Sequence, residues 1–579
     1  MNLPLRQYVS LLREYLAAQR ARVLLLALLL FGGIALQLLN PQILRAFIDS
    51  AQGGGPLAGL VTAALAFIGV ALLQQALAVG ATYVGELVGW TATNALRADL
   101  LQHALSLDMG FHNARTPGEL IERIDGDVTA MANFFAQFVL RVLGNAVLLV
   151  GILVLFARED WRVGLVMGGF VLVALAVLVR LRNIAAPSWA AGRAASAAFM
   201  GFVEERLGGL EDIRASGAAP QQMRQLYGHM RELVARYRRA RMVEHGALVA
   251  TRGTFALGQA AALAVGAYLF FEGALSVGTV YMIAYYAGLL VSPLEQLTTQ
   301  LQDLQRAGAG IERAAELRGF RPAVGDGASA APPAALAVEL DGVSFAYAEG
   351  HPVLDGVSLR LAPGAVLGLL GRTGSGKTTI TRLLARLYDP GAGAVRLGGV
   401  DVRELRLAEL RRRVGVVTQD VQLFRASVRD NLTFFDRSVP DERIVAALEE
   451  MGMGAWLRAL PRGLDTPLAS GEALSAGEAQ LLAFTRVLLK EPGLVILDEA
   501  SSRLDPATER RLERAVGRLL AGRTGIIIAH KLATVQRVDA IAILEAGRVV
   551  EHGPRAALAA DPSSLFAGLL RAGLEEVLT

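Results

Sequence analysis

The 579-residue chain contains no cysteine, and this absence excludes disulfide bonds, thiol catalysis and thiolate metal sites. Charged residues are also scarce, because only 19% of the chain is Asp, Glu, Lys or Arg, against about 25% in ordinary soluble proteins. The hydrophobic fraction is 53% and the mean hydropathy is +0.42. These values together indicate a membrane protein.

A nucleic-acid partner is not expected, since the net charge is only +4 and the basic residues form neither a tail-like block nor a pattern interleaved with aromatics. The N-terminus also lacks a signal-peptide pattern. Polar residues up to Arg22 lead directly into a long apolar run, which we expect to remain in the protein. The length predicts at least two domains.

Apolar segments in the first half of the chain match the roughly 20 residues that a helix needs to cross a bilayer. Six such spans are predicted, which places both ends of this half on the same side of the lipid bilayer. They are residues 23–44, a helix within the charge-free run 51–85, and residues 142–157, 163–179, 253–271 and 274–293.

The connections between the spans alternate between short and long. Residues 180–246 form a long connection that holds eleven Arg against six acids, which indicates the cytoplasmic side. Residues 86–130 weaken this argument, because they contain more acids than bases. Both long connections keep helical periodicity, so we predict membrane helices that continue into the cytoplasm, with turns at 107–116 and 215–221.

The sequence changes character after Arg318. Residues 319–337 are rich in Pro, Gly and Ala, and beyond them short apolar strands alternate with helix-like segments, as in an α/β domain. We therefore predict an all-α six-helix transmembrane domain at 1–318, a linker at 319–337 and an α/β P-loop NTPase domain at 338–579.

A complete P-loop follows a predicted strand at 366–370. Its glycines allow backbone N–H groups to wrap phosphates, Lys377 reaches the β and γ phosphates, and Thr378 holds Mg²⁺. ATP with Mg²⁺ is thus the predicted cofactor. The predicted nucleotide-binding residues here are Gly371, Arg372, Thr373, Gly374, Ser375, Gly376, Lys377, Thr378 and Thr379.

A second apolar strand, 494–497, ends in two acids. Asp498 is predicted to hold the Mg²⁺ shell. Glu499 lies on the opposite face of the pleat, where it is placed to orient or deprotonate the attacking water. The alternative is an acid pair in a solvated turn at the end of a strand, which the P-loop makes less favourable.

The order of further motifs resembles that of the ATP-binding cassette (ABC) family. The resemblance implies that Tyr347 stacks on adenine, that Gln419 contacts Mg²⁺ and the attacking water, and that His530 is the switch histidine at the γ-phosphate. Asp505 resembles the family's D-loop aspartate. The segment Ser475, Ala476, Gly477 and Glu478 stands where the family has its signature, which acts on the nucleotide of a second subunit.

A six-span domain fused ahead of a cassette resembles the half-transporters of type IV ABC exporters. The resemblance implies a multi-pass protein of the inner (plasma) membrane with a cytoplasmic ATP domain, coupling helices at the tips of the long loops, and an amphiphilic drug, lipid or peptide as substrate. A siderophore-type importer on the same scaffold and an ATP-gated regulatory protein remain alternatives. The sequence does not identify the substrate.

The signature departs from the family pattern, because Ala476 replaces a glycine, Glu478 a glutamine and Ala479 the usual arginine. A carboxylate and an added Cβ should weaken its contact with phosphate. The chain's own ATP-binding and catalytic residues are intact. This asymmetry predicts a heterodimer with a half-transporter whose Walker B motif lacks the catalytic glutamate, and a homodimer that tolerates the variant signature is the alternative.

Overall fold

The structure is a computed structural model that describes residues 14–131, 142–330, 332, 335–348, 350–468, 474–498, 506–529 and 535–572; for 297–307 and 506–507 it describes the backbone alone. The chain divides into two compact units. The first comprises Met1–Leu105 and Pro117–Phe320, and the second comprises Ser106–Thr116 and Arg321–Thr579. A short segment from the first long connection therefore groups with the C-terminal unit.

The regular elements in the described residues of the first unit are all helices, joined by short turns. At about 1.5 Å per residue, helices of 48 to 53 residues are more than twice as long as a bilayer core of about 30 Å is thick. The helices are α1 (Arg20–Gln52), α2 (Leu57–Ser106), α4 (Pro117–Ile121), a π-helical turn (Glu122–Gly126), α5 (Gly144–Glu159), α6 (Trp161–Gly208), α7 (Leu210–Ala215), α8 (Ala219–Phe271), α9 (Val277–Leu289) and α10 (Val291–Gly319); α3 (Met109–Asn113) belongs to the second unit.

Five helices in the described part of the chain are long and apolar enough to cross a membrane. They are α1, α2, α6, α8 and the segment Val277–Gln296, and they cover five of the six predicted spans. The remaining predicted span, 142–157, coincides with α5, which has 16 residues and so falls just short of the roughly 17 that a span requires. Residues 132–141, which precede α5, lie outside the described ranges.

Polar contacts join three helix ends at one end of the first unit. The Arg45 guanidinium of α1 donates to both carboxylate oxygens of Glu159 in α5, at 2.7 Å each. Asp49, one turn after Arg45, accepts from the Ser276 hydroxyl at 2.7 Å and from the Gly278 backbone N–H at 2.9 Å. We name this cluster of five residues the helix-end cluster; it ties the ends of α1, α5 and α9 together.

Gly278 permits the close approach of α1 and α9, because a Cβ there would lie 2.5 Å from the Arg45 carbonyl oxygen and 2.6 Å from Asp49 Oδ1. We expect Gly278→Ala to lower the free energy of unfolding by about 1–3 kcal/mol, as overpacking does elsewhere. Thermal unfolding in detergent measures this. Gly169→Ala in α6 is the matched control, since its Cβ would meet nothing within 4 Å. Equal melting temperatures for the two variants would contradict the expectation.

The second unit is built on two sheets. One is four-stranded and antiparallel, in the order β2-β1-β4-β5, and the other is six-stranded, in the order β10-β9-β3-β8-β7-β6, with parallel pairing from β9 to β6. The strands are β1 (Val338–Ala346), β2 (Pro352–Leu361), β3 (Val366–Leu370), β4 (Ala392–Leu397), β5 (Val400–Asp401), β6 (Val414–Val417), β7 (Leu494–Asp498), β8 (Thr524–Ile528), β9 (Ala540–Glu545) and β10 (Arg548–Pro554).

The central strands β3, β7 and β8 are buried along nearly their whole length, which explains their continuous runs of Val, Leu and Ile. Carboxyl ends of parallel strands meet at one edge of a sheet, so the residues that follow these strands are brought together. The helices of this unit are α11 (Lys377–Leu384), α12 (Leu407–Arg413), α13 (Val428–Thr433), α14 (Asp441–Glu450), α15 (Gly454–Ala459), α16 (Ala476–Leu489), α17 (Pro506–Leu520), α18 (Arg555–Ala560) and α19 (Leu565–Ala572).

Candidate nucleotide site

The loop between β3 and α11 adopts a conformation that requires glycine. Gly371, Gly374 and Gly376 have φ values of +144°, +83° and +106°, a region that residues with a side chain rarely adopt. A Cβ on Gly371 would also lie 2.3 Å from the Leu544 carbonyl oxygen. The glycine spacing read from the sequence is therefore what allows this loop to fold tightly around the start of α11, and the N-terminal end of a helix is suited to binding an anion.

The side chains inside the loop are arranged as an anion site would need. Lys377 is 94% buried, and its ammonium donates to the carbonyl oxygens of Gly371 at 2.5 Å and Arg372 at 2.9 Å. Ser375 is also buried, and its Oγ has no hydrogen-bond partner in the part of the chain that the structure describes. A buried hydroxyl left unpaired costs about 1–3 kcal/mol, and a phosphate oxygen would satisfy it.

Three aromatic side chains, Phe345, Tyr347 and Tyr388, contact one another beside α11, and we name them the aromatic platform. Tyr347 is 43% exposed, and its ring meets Phe345 and Tyr388 edge to face at centroid distances of 4.9 and 5.2 Å. Its hydroxyl lies 3.1 Å from Thr379 Oγ1 and accepts from Arg382 at 3.0 Å. The predicted adenine-stacking residue is thus anchored to the P-loop helix while part of its ring remains open for stacking.

The residues predicted to hold Mg²⁺ come from neighbouring elements at one sheet edge. Thr378 is exposed on the first turn of α11, and Asp498 ends β7, paired with Ile528 of β8. Gln419 is exposed just after β6, the other neighbour of β7. The described residues hold no group of three or more His or carboxylates able to bind a metal. One carboxylate and a hydroxyl fit Mg²⁺, which usually shares its shell with nucleotide phosphates and water.

Three predicted site residues, Glu499, Asp505 and His530, lie outside the described residues. The structure defines the strands that precede two of them. β7 ends at Asp498 and β8 ends at Ile528, and these two residues pair directly. The roles assigned to these three side chains therefore stay predictions.

The signature residues form the N-terminal end of α16. Ser475 is the N-cap, with Ala476 and Gly477 in the first turn, and Glu478 closes a reciprocal capping box. The Ser475 backbone N–H and hydroxyl both donate to Glu478 Oε2, at 2.8 and 2.9 Å. The Glu478 carboxylate is therefore bound within its own helix end.

Helix α3 connects to the aromatic platform within the second unit. The Asn113 amide donates to the Tyr388 hydroxyl at 2.7 Å, and Asp108 accepts from the Ala323 backbone N–H at 2.6 Å. Burial raises the pKa of Tyr388, so its hydroxyl stays protonated at neutral pH. The predicted turn at 107–116 includes Asn113, but its contact with Tyr388 was not predicted. The signal for Tyr388 in the sequence was an aromatic residue shortly after the P-loop helix.

The two units match known families separately. Residues 354–502 match the family described as "ABC transporter", and residues 23–294 match "ABC transporter transmembrane region". An ATP-dependent lipid A-core flippase of Pseudomonas fluorescens is 32% identical over 492 residues, which cover 83% of this chain and 80% of the flippase. The chain belongs to the ABC transporter family. Its cassette is accordingly an ATP-binding ATPase coupled to transport.

Other relatives of this ABC transporter extend the likeness. A multidrug efflux ATP-binding/permease protein of Mycobacterium bovis is 32% identical over 566 residues, which cover 96% of this chain and 46% of that protein. A solved structure of a bacterial Atm1-family ABC exporter with ATP bound superposes with a TM-score of 0.80 at 25% identity, covering 96% of this chain and 98% of the exporter. The chain thus has the fold of an Atm1-family exporter, in a multi-pass membrane protein.

Proposed function

We propose that this ABC transporter is a half-transporter that exports an amphiphilic drug, lipid or peptide from the cytoplasm across the inner (plasma) membrane. Its layout would be six membrane helices within 1–318, a linker at 319–337 and a cytoplasmic cassette at 338–579. The proposal rests on the combination of two features in one chain. An exporter-type membrane unit is followed by a complete P-loop, and this loop has a buried lysine and a serine hydroxyl without a partner in the described residues.

ATP with Mg²⁺, when bound, supplies the free energy of phosphate hydrolysis to transport. The chain's own residues would bind the phosphates and the metal and would activate the attacking water. With nucleotide bound, the Lys377 ammonium would exchange its two carbonyl partners for phosphate oxygens, and Thr378 and Asp498 would hold the metal. Glu499 is proposed to take a proton from the attacking water, which Gln419 helps to orient.

The second half of the ATP site comes from another chain, because the signature acts in trans in this family. Gly477, and Ser475 wherever its hydroxyl is not held by Glu478, would donate hydrogen bonds to phosphate held by that chain. His530 is proposed to hold the γ-phosphate within its own cassette, and Asp505 is proposed to lie in the D-loop.

Closure of two cassettes would favour the outward-facing membrane unit, since ATP binds the closed pair more tightly than the open pair.

Export is favoured over import by two observations. Membrane unit and cassette share one chain, whereas importers that use a soluble binding protein normally keep them on separate chains. The similar proteins also include a flippase and a multidrug efflux protein. A siderophore-type importer and an ATP-gated regulatory protein are the competing functions, and neither is supported by a particular contact in the described residues.

Transport in inside-out membrane vesicles tests the direction. We expect ATP-dependent accumulation of fluorescent amphiphiles in vesicles that contain the chain and its partner, and no accumulation with Glu499→Gln. ATP-driven release of preloaded amphiphile would instead indicate import. ATP hydrolysis that never moves a probe in either direction, while ATP alters an ion conductance, would favour the regulatory alternative.

A heterodimer is the proposed assembly, since this chain combines an intact P-loop, Asp498 and Glu499 with the variant signature Ser475 to Glu478. A partner with a consensus signature and no catalytic glutamate would complete one productive site. Native mass spectrometry of the complex extracted from its own membranes checks this. We expect one copy of this chain with one different half-transporter, and a complex of two identical copies would contradict the assembly.

A further inference from the structure

Glu478 differs from the family's glutamine in charge, and in this structure its carboxylate is turned toward the signature serine. One carboxylate oxygen, Oε2, accepts from both the Ser475 N–H and the Ser475 hydroxyl, at 2.8 and 2.9 Å. The Ser475 Oγ in turn accepts from the Glu478 N–H at 3.3 Å. Both donors of Ser475 therefore end on a single anionic oxygen from the same helix turn.

The Ser475 hydroxyl has one proton, so it cannot donate to Glu478 and to a phosphate oxygen at the same time. A hydrogen bond to a carboxylate is stronger than one to a neutral amide. A glutamine at this position would still complete the capping box, but it would hold the hydroxyl less firmly. Glutamate in place of the family's glutamine therefore makes the Ser475 hydroxyl less available to phosphate, in addition to changing the local charge.

We infer that the Glu478 carboxylate competes with the nucleotide phosphate for the Ser475 hydroxyl. Through this competition, Glu478 weakens the closure of the signature on the nucleotide of a second cassette. The inference rests on the proposed action of the signature in trans. It differs from simple repulsion between two anions, which depends on the charge of Glu478 alone. Competition depends on the Ser475 hydroxyl as well, so the two effects are separable by experiment.

Competition makes a specific prediction about paired variants. Where Glu478 holds the hydroxyl, Ser475→Ala removes a group that is already engaged and has little effect on closure. Where Glu478→Gln releases the hydroxyl, Ser475→Ala removes a working contact and has a large effect. Repulsion alone predicts the same effect of Ser475→Ala in both backgrounds. The two residues form a double-mutant cycle whose coupling measures the competition.

Hydrogen exchange of the full-length, nucleotide-free protein tests the contact directly. We expect the Ser475 amide to exchange about tenfold faster in Glu478→Ala than in the parent, because the carboxylate acceptor is gone. Glu478→Gln retains an acceptor and should keep most of the protection. Exchange at the same rate in the parent and in Glu478→Ala would overturn the inference, since no internal contact would then exist to compete with phosphate.

Closure is measured with ATP and Mg²⁺ in a Glu499→Gln background, so that hydrolysis does not reopen the complex. The chain has no cysteine, so Glu442→Cys, at an exposed position on α14, supplies one spin label, and a cysteine in the partner cassette supplies the other. The distance between labels reports the closed fraction at each ATP concentration. Glu450→Gln, an exposed acid elsewhere on the same helix, is the matched control for loss of charge.

We expect Glu478→Gln to lower the ATP concentration for half closure by about tenfold, corresponding to about 1.4 kcal/mol. Ser475→Ala should raise the ATP concentration for half closure by less than about twofold in the parent. In the Glu478→Gln background the same substitution should raise it by about tenfold, which again corresponds to about 1.4 kcal/mol. Equal shifts in both backgrounds would overturn competition. If ATP binds but no variant closes, the proposed trans role of the signature is wrong as well, which distinguishes the two failures.

Discussion

Replacement of Lys377 by alanine is expected to lower the affinity of the cassette for ATP at least about a hundredfold. The ammonium lies inside the P-loop and bonds to the Gly371 and Arg372 carbonyl oxygens, from which it is positioned to transfer to phosphate. Hydrogen bonds to charged groups are worth about 1.5–3 kcal/mol each, and two of them account for the loss. Equilibrium binding of a fluorescent ATP analogue measures it.

Lys490→Ala is the matched control for this experiment. Lys490 is a second lysine of the cassette, directly after the C-terminal end of α16. Removing it should leave ATP affinity within about twofold of the parent, since no phosphate role is assigned to it. Equal losses from the two variants would mean that cassette stability, rather than phosphate binding, explains the effect of Lys377→Ala.

Glu499→Gln is expected to reduce ATP hydrolysis by about 10²- to 10⁴-fold while ATP binding is retained, because the amide cannot accept the proton of the attacking water. The closed form should then accumulate, since closure needs ATP but reopening needs hydrolysis. Release of inorganic phosphate and the amount of ATP retained after rapid gel filtration measure the two effects.

The control for this prediction is Glu491→Gln, in which an exposed glutamate paired with Arg443 at 2.7 Å is changed in the same way. It should hydrolyse ATP at the parental rate. Rapid turnover in Glu499→Gln would remove this residue from the catalytic role. Loss of ATP binding in the same variant would instead indicate that the acid holds the metal, as Asp498 is proposed to do.

The α/β character of the cassette and its P-loop could be predicted from the sequence because both depend on local patterns. The buried run 366–370 and the glycines at 371, 374 and 376 encode a strand and a turn with positive φ, and the structure has both. The membrane spans also depend on local composition, and five of the six coincide with helices able to cross a bilayer. The position of α5 was predicted, but its 16 described residues are too short for the same conclusion.

Contacts between distant residues could not be predicted in this way. The Asn113 to Tyr388 hydrogen bond joins residues 275 positions apart, and nothing in either local sequence specifies the other. The helix-end cluster likewise joins residues from three helices. The Glu478 contact is different, because its residues are three positions apart and a Ser-x-x-Glu pattern is the known signature of a capping box. The local sequence therefore specifies this contact as well as the charge of Glu478.

The measurement that tests the central claim most directly is ATPase activity of this chain purified alone and again with candidate partner half-transporters, starting with one encoded by the adjacent gene. Strong hydrolysis only in the mixed complex, abolished by Glu499→Gln in this chain, is the predicted result. Full activity of the chain alone would contradict it, because a homodimer with two variant signatures would then close and hydrolyse ATP without a different partner.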